Sequence, residues 1–328
     1  MRKLAQIQAF NSFKKTVIQF VGNTDTGTNK YFGCVGHPNG NIYFSPYFKD
    51  YILEYNTTTG VSREVGSSYT GNKKWIGAKV HPSGKVYFAP NGGGAGTKIL
   101  EYDPSTEITR LVGSSVGGDH YSGITIHTNG KVYLTPSLTG QIMEYDTVTE
   151  TSRLVGTNYG SGTYKWFNNG IVYGDYIYFS TGGHNQVLRY NVVTEISDLV
   201  GTIYGVIGTG FKWVGGDIMG TNIYFAPCDN TQILKLDLIT NATNLVGSVI
   251  SGNGKFLGAQ AHPNKKIYFS PYNAAYVLEY DPNTNVSKQL SFTVNGSPIY
   301  SGVSIGENKK LYFSPLFNHR ILEISNLF

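Results

Sequence analysis

A lysine directly precedes an aromatic residue at five places in the chain, which lie 44, 91, 47 and 43 residues apart. The five are Lys30, Lys74, Lys165, Lys212 and Lys255, and the corresponding places of two further segments hold His120 and Ile299. If the segments surround one axis, the ammonium groups converge, and convergent positive charge attracts anions. These lysines equal in number the formal net charge of +5. The alternative is that lysine is a solvated residue kept by repeat duplication, and both interpretations stay open.

The aromatic residues that follow these positions are Tyr31, Trp75, Tyr121, Trp166, Trp213, Phe256 and Tyr300. Packing between sheets is their first predicted task, because large rings fill the space between facing sheets. Four of them, together with the basic residues, make up one candidate ligand-binding set at a channel mouth. That set is Lys30, Lys74, His120, Lys165, Lys212, Lys255, Trp75, Tyr121, Trp166 and Trp213.

Histidine is the usual residue for proton transfer near neutral pH, and the chain has seven. Four of them share one repeat position, at the start of a His-Pro-Asn-Gly type turn: His37, His81, His127 and His262. A catalytic residue is expected once in a ring of repeats, so this recurrence predicts a structural role. His120, His184 and His319 lie in loops, each without a second candidate group close in sequence.

One acidic residue departs from its repeat. Asp217 follows Trp213 by four residues, at a position that we expect to line the channel and where the other copies carry Val35, Lys79, Thr125, Gly170, Gln260 and Ser304. Hard cations prefer several oxygen ligands, so one carboxylate does not predict a metal site. The sequence shows no Ser–His–Asp grouping and no glycine-rich phosphate loop. We therefore predict no catalytic residue, no metal and no cofactor.

The elements that must position these residues form seven copies of one pattern. Each copy reads aromatic-x-Gly, a turn, Ile-Tyr-Phe, a loop, Ile-Leu-Glu-Tyr, a turn and Leu-Val-Gly, and successive copies start 44, 46, 45, 47, 43 and 44 residues apart. β-Branched and aromatic runs form strands, and this period is typical of four-stranded propeller blades. The pattern predicts an all-β, seven-bladed propeller of antiparallel blades.

The two ends of the chain complete one blade together. The copy that starts at Tyr300 lacks Leu-Val-Gly, whereas Val17–Gly22 is a single strand of that type before the first full copy. This arrangement predicts that the N-terminal strand closes the ring and leaves no free edge. We expect a tail or short helix over residues 1–15 and one propeller domain over residues 16–328, with residues 16–22 belonging to the last blade.

The strand motifs resemble the propeller superfamily that includes the NHL, YVTN and streptogramin-lyase-like repeats. The resemblance rests on Ile-Tyr-Phe, on Ile-Leu-Glu-Tyr-Asp-Pro-x-Thr and on Leu-Val-Gly, and it covers all seven copies. It implies the fold, with the first strand of each blade innermost and ligand sites near the loops of one face. It implies no particular activity.

Three functional classes follow from these observations. The preferred hypothesis is a non-enzymatic propeller whose lysine-rich mouth binds an anionic small molecule, an acidic glycan or a protein partner. The alternatives are a lyase- or lactonase-like enzyme and a structural component of a larger assembly. The modest charge argues against nucleic acid, and no apolar run is long enough to cross a membrane. The N-terminus does not resemble a signal peptide, which favours a soluble, cytoplasmic protein of unknown oligomeric state.

Overall fold

Seven four-stranded antiparallel sheets form the protein. The computed structural model describes residues 15–24, 27–292 and 299–328. The first three strands of each copy pair in chain order, and in six sheets the fourth strand follows them in sequence. Within the described ranges no helix is long and apolar enough to cross a membrane.

The strands form four concentric layers around the channel axis. The innermost strands are β2 (Tyr31–Gly36), β6 (Trp75–Val80), β10 (Tyr121–Ile126), β14 (Ile171–Tyr173), β18 (Trp213–Met219), β22 (Phe256–His262) and β26 (Tyr300–Ile305). The second strands are β3 (Asn41–Pro46), β7 (Val86–Pro90), β11 (Val132–Pro136), β15 (Tyr176–Phe179), β19 (Asn222–Pro227), β23 (Lys266–Pro271) and β27 (Leu311–Pro315). The third strands are β4 (Ile52–Asn56), β8 (Ile99–Asp103), β12 (Ile142–Asp146), β16 (Val187–Asn191), β20 (Ile233–Asp237), β24 (Tyr276–Asp281) and β28 (Ile321–Ser325). The outermost strands are β5 (Ser62–Val65), β9 (Ile108–Val112), β13 (Thr151–Val155), β17 (Ser197–Val200), β21 (Thr243–Val246), β25 (Val286–Ser291) and β1 (Val17–Val21).

The hydrophobic core lies between neighbouring blades. The second strands are buried along almost their whole length, because each blade packs against a neighbour on both faces. Tyr43 of the first blade, for example, packs in one cluster with Trp75 and Phe88 of the second. A sheet covered on both faces needs apolar residues without alternation, which explains the repeated Ile-Tyr-Phe.

The ring is closed by the N-terminal strand, as the sequence predicts. β1 pairs antiparallel with β28, with Val17 opposite Ser325 and Val21 opposite Ile321. Tyr312 and Ile321 of this last blade pack in one cluster with Tyr31 and Ile42 of the first. The predicted all-β, seven-bladed propeller is thereby confirmed.

The fourth blade departs from the repeat. Its inner strand is reduced to Ile171–Tyr173, although the other six inner strands begin at the predicted aromatic residue. The segment Trp166-Phe-Asn-Asn-Gly170 precedes it, with Asn168 at a φ of 74°. Asn tolerates this left-handed conformation better than other residues with side chains. The two asparagines can therefore enter the channel.

Candidate functional site

A ring of glycines narrows the central channel. Glycine stands two residues after the aromatic in six blades, and the inner strands shift register there, as between Tyr31 and Cys34. A Cβ atom on Gly33 would lie 2.8 Å from the Cα of Gly77 in the next blade. The aromatic-x-Gly motif therefore reflects a close approach of backbones around the axis.

In the fourth blade, asparagine side chains take the place of this contact. The Asn169 amide donates to the Ala78 carbonyl (3.3 Å), and its oxygen accepts from the Ile124 amide (2.9 Å). Asn169 therefore joins blades two, three and four at the axis. The departure of Asn168 from the aromatic-x-Gly pattern was the available signal, but the sequence interpretation did not use it.

On one side of the glycine ring the channel holds a cavity of about 340 Å³. The seven residues that follow the aromatics by four positions all line it: Val35, Lys79, Thr125, Gly170, Asp217, Gln260 and Ser304. The predicted channel-lining position is thus confirmed in every blade. The cavity contains one carboxylate and one ammonium group from this set.

Asp217 is held by donors from its own blade and the next. Its Oδ2 accepts from the Ala261 amide (2.7 Å) and from Gln260 Nε2 (2.8 Å), and its Oδ1 accepts from the Ile218 amide (2.8 Å). Burial raises the pKa of this carboxyl above its usual value, although the backbone donors and the charge of Lys79 oppose the shift. Desolvation penalises the charged form, so the carboxylate becomes a stronger base.

Lys79 shares the cavity with Asp217 from a blade three positions away in the ring. Burial lowers the pKa of its ammonium group below the usual value, and the charge of Asp217 partly offsets the effect. A lowered pKa makes an ammonium group a better proton donor. The cavity thus combines a strengthened base with a strengthened acid.

The residues equivalent to Asp217 in other blades show which hydrogen bond this repeat position contributes to the contact between blades. Thr125 Oγ1 accepts from the Gly170 amide (2.8 Å), and Ser304 Oγ accepts from the Gly36 amide (2.9 Å). The Ser304 bond is the same link to the next blade that Asp217 makes to Ala261, and the Thr125 bond is a similar link shifted by one residue. A neutral hydroxyl is sufficient for this link, so the charge of Asp217 is not explained by blade packing.

The lysines of the predicted binding set are buried. Lys255 Nζ donates to the carbonyls of Cys228 (2.9 Å) and Gly252 (2.6 Å), and Lys212 Nζ donates to Val206 O (2.7 Å). Lys30 and Lys74 also donate to loop carbonyls, whereas Lys165 Nζ is buried and has no hydrogen-bond partner within residues 15–24, 27–292 and 299–328. Desolvation lowers the pKa of Lys74, Lys165, Lys212 and Lys255.

The remaining members of that set differ in exposure. Trp75, Tyr121, Trp166 and Trp213 are buried between blades, and the three indoles donate to loop carbonyls of Lys98, Gln186 and Gln232. His120 is exposed. The structure therefore places four of the five lysines in contact with loop carbonyls and the four aromatics in the core. The ligand-binding role of the set stays a prediction.

The four recurrent histidines link neighbouring blades. His37, His81, His127 and His262 contact, through Nε2, the carbonyls of Gly84, Gly130, Gly174 and Lys309 at 2.8–3.0 Å. These contacts provide the structural role that their recurrence predicts. Among the described residues no group of three or more His, Cys, Asp or Glu side chains could hold a metal ion. The expectation of no metal and no cofactor stays a prediction.

Comparisons with known proteins identify the fold. A streptogramin B lyase superposes with a TM-score of 0.80 at 15% identity, covering 94% of this chain and 97% of the other. Virginiamycin B lyase from Staphylococcus aureus gives 0.79 at 15% identity, covering 95% and 99%. A catalytically inactive form of the S. aureus enzyme with quinupristin gives 0.78 at 14%, covering 95% and 99%. The fold is that of the streptogramin B lyases.

These neighbours correct the preferred functional hypothesis. A propeller that only binds was predicted from the lysine-rich mouth, but the structurally similar streptogramin B and virginiamycin B lyases are enzymes. They favour the lyase-like alternative instead. No protein-family model and no curated protein matches the sequence. At 15% identity the structural likeness establishes the fold and leaves the activity to be argued from the site.

Proposed function

We propose that this protein is a lyase-like propeller enzyme with its reaction site in the channel cavity around Asp217 and Lys79. One observation carries the proposal: a carboxyl with a raised pKa and an ammonium with a lowered pKa line the same small cavity. Opposite shifts of this kind are a feature of acid–base sites. The fold shared with streptogramin B lyases supports the same reaction class.

The chemistry that fits this pair is an elimination next to a carbonyl group. The Asp217 carboxylate takes the proton from the carbon α to the carbonyl, and the electron pair of that bond forms the new double bond. The bond from the β-carbon to the leaving oxygen breaks, and that oxygen receives a proton from Lys79. Both groups work best when their pKa values approach the operating pH.

The cavity volume restricts the substrate. About 340 Å³ is at the small end of ligand pockets, and the glycine ring narrows the channel on one side. The reacting part of the substrate is therefore compact, with one carbonyl group and one oxygen leaving group. Quinupristin, present in one similar structure, is the first compound to test.

The experiment measures turnover of quinupristin and of small esters and lactones with a β-oxygen leaving group. Asp217→Asn and Lys79→Met should each lower kcat/KM at least about a hundredfold, the usual contribution of a general acid or base. Ser304→Ala is the matched control, because it removes an equivalent inter-blade hydrogen bond without removing a proton-transfer group. Equal activity in Asp217→Asn and the wild type would contradict the proposal.

The pH profile supplies an independent readout. Activity needs Asp217 without its proton and Lys79 with its proton. The rising limb should therefore lie above the ordinary carboxyl value of 3.8, and the falling limb below the ordinary lysine value of 10.5. Lys79→Met should abolish the falling limb due to this group. A profile with both limbs at the ordinary values would assign the reaction to other residues.

A further inference from the structure

A second cavity opens beside the reaction site, on the face formed by the turns that join the first and second strands of the blades. Its volume is about 600 Å³, and Pro38, Val80, Pro82 and Ile126 provide its apolar side chains. Val80 and Ile126 directly follow Lys79 and Thr125 along β6 and β10. Ile126 lines both cavities. We call this second cavity the vestibule.

Three histidines complete the vestibule wall, and their nitrogens are already engaged. His37 Nε2 contacts Gly84 O (2.8 Å), while its Nδ1 accepts from the Asn39 amide (3.0 Å). His81 and His127 repeat this arrangement with Gly130 O and Gly174 O and with the amides of Ser83 and Asn129. Ring nitrogens committed in this way leave the carbon atoms of the imidazole to face a ligand.

The residues around the vestibule therefore favour a flat apolar group. Proline rings, imidazole carbons and the side chains of Val80 and Ile126 line it, with Ser83 and Thr128 as its hydroxyl-bearing residues, and none of its described lining residues is Asp, Glu, Lys or Arg. Lys79 and Asp217 lie just beyond, in the adjoining cavity. The two cavities together present an apolar part followed by a polar end.

We propose that the vestibule binds the aromatic or other flat apolar group of a small carbonyl substrate whose polar end reaches Lys79 and Asp217. This inference rests on the proposed function and adds the substrate class and the route of entry. The substrate enters from the histidine-turn face, because the glycine ring narrows the channel farther along. Burial of the flat group supplies binding energy away from the reacting atoms.

The test is a binding measurement that does not depend on turnover. The probe is 2-naphthoate, whose rings fit the vestibule and whose carboxylate reaches Lys79, and acetate is the reference without rings. Calorimetric titration should show 2-naphthoate bound at least about tenfold more tightly than acetate, from the apolar area buried. Equal affinities for the two carboxylates would overturn the inference.

Matched variants locate the binding. Ile126→Asn should weaken 2-naphthoate binding about tenfold, whereas Ile305→Asn changes the same repeat position in the last blade, outside the vestibule, and should leave binding unchanged. Val80→Thr keeps the side-chain shape and should weaken binding less than Ile126→Asn. Equal affinities of Ile126→Asn and Ile305→Asn for 2-naphthoate would overturn the inference that the vestibule binds the flat group. If Asp217→Asn still abolishes turnover in that case, the proposed function stands alone.

Discussion

The buried lysines show how one repeat position can serve structure without a ligand. Lys255 ties the loop before β22 to the preceding blade, because its ammonium donates to Gly252 O and Cys228 O. Lys165 has the equivalent place in the fourth blade, but its ammonium has no hydrogen-bond acceptor among the described residues. A buried charge without partners reduces stability, whereas a fully bonded one holds two loops together.

These two lysines make a matched pair for mutation. Lys255→Met should lower the free energy of unfolding by about 1–3 kcal/mol, because the Gly252 and Cys228 carbonyls each lose the ammonium as a donor, although Cys228 O keeps the backbone amide of residue 255. Lys165→Met should leave stability unchanged or raise it, because it removes an uncompensated buried charge. Urea unfolding at neutral pH measures both. A larger loss in Lys165→Met than in Lys255→Met would show that the ammonium of Lys165 has a partner in solution.

The same residue gives stability a pH dependence with a definite sign. Burial lowers the pKa of Lys165 from 10.5, so in the folded protein it releases its proton at a lower pH than in the unfolded chain. Between the two values the unfolded state binds more protons, and stability therefore rises with pH. The stability difference between Lys165→Met and the wild type should shrink as the pH approaches 10.5. A constant difference across that window would contradict the lowered pKa.

For single residues, the sequence predicts which repeat positions line the channel better than it predicts the direction in which a side chain points. The repeat placed Asp217 and Lys79 on the channel wall correctly, because an inner strand has a fixed alternation of faces. It could not show that Lys212 and Lys255 turn onto loop carbonyls, because side-chain direction there depends on loops with no fixed period. The sequence alone could not show that Asp217 and Lys79 share one cavity, because they lie three blades apart and meet only through the geometry of the ring.

Among the elements, the inner strands depend on backbone contact at the glycines. Gly33 has a φ of 93°, and Gly40, in the turn that follows the same strand, has a φ of 87°. An added Cβ meets Gly77 at 2.8 Å in the first case and nothing within 4 Å in the second. Both positions share the conformational strain of a left-handed residue, but only Gly33 touches the next blade.

This contrast predicts unequal effects of the same substitution. Gly33→Ala should destabilise the protein by about 1–3 kcal/mol more than Gly40→Ala, because the added methyl group forces two inner strands apart. The strain from positive φ should be similar in both variants and cancels in the comparison. Thermal or urea unfolding of the two variants measures the difference. Equal stabilities would mean that the inner strands separate at no cost.

The fourth blade shows which property of a strand the repeat pattern does not predict, namely where its inner strand begins. The period placed its first aromatic at Trp166 correctly, and this indole is buried like those of Trp75 and Trp213. The pattern could not show that β14 begins only at Ile171, because the Asn169 side chain makes its hydrogen bonds to the second and third blades instead of pairing along a strand. The local sign of these contacts in the sequence is that Asn168 stands where the other six blades have glycine.

For the whole molecule, the sequence was sufficient to predict the architecture. Seven copies of one strand pattern, with the missing strand at the opposite end of the chain, determine blade number and closure together. The division into a tail over residues 1–15 and a single domain stays a prediction, since residues 1–14 lie outside the described part. Reaction class does not follow from blade-forming residues, which explains why the binding hypothesis was wrong.

Closure can be tested by truncation. Deleting residues 1–22 removes β1 and exposes the edge of β28, which should cost several kcal/mol of stability or reduce solubility. Deleting residues 1–14 is the control, because it leaves every described residue pair between β1 and β28 in place. Urea unfolding and size-exclusion chromatography measure the outcome. Identical unfolding of the two truncated proteins would contradict a stabilising role for β1.

The pairing of β1 with β28 also determines how the ring comes apart. The peptide chain runs across every junction between blades, but within the last blade the outer strand β1 has no covalent link to β28 and is held by the pairs from Val17–Ser325 to Val21–Ile321. Thermal fluctuation or mechanical tension therefore opens the propeller at this non-covalent seam. Amide hydrogens of Val17–Val21 should exchange with solvent before those of the other outer strands. A covalent link between the two chain ends would protect them without changing any blade.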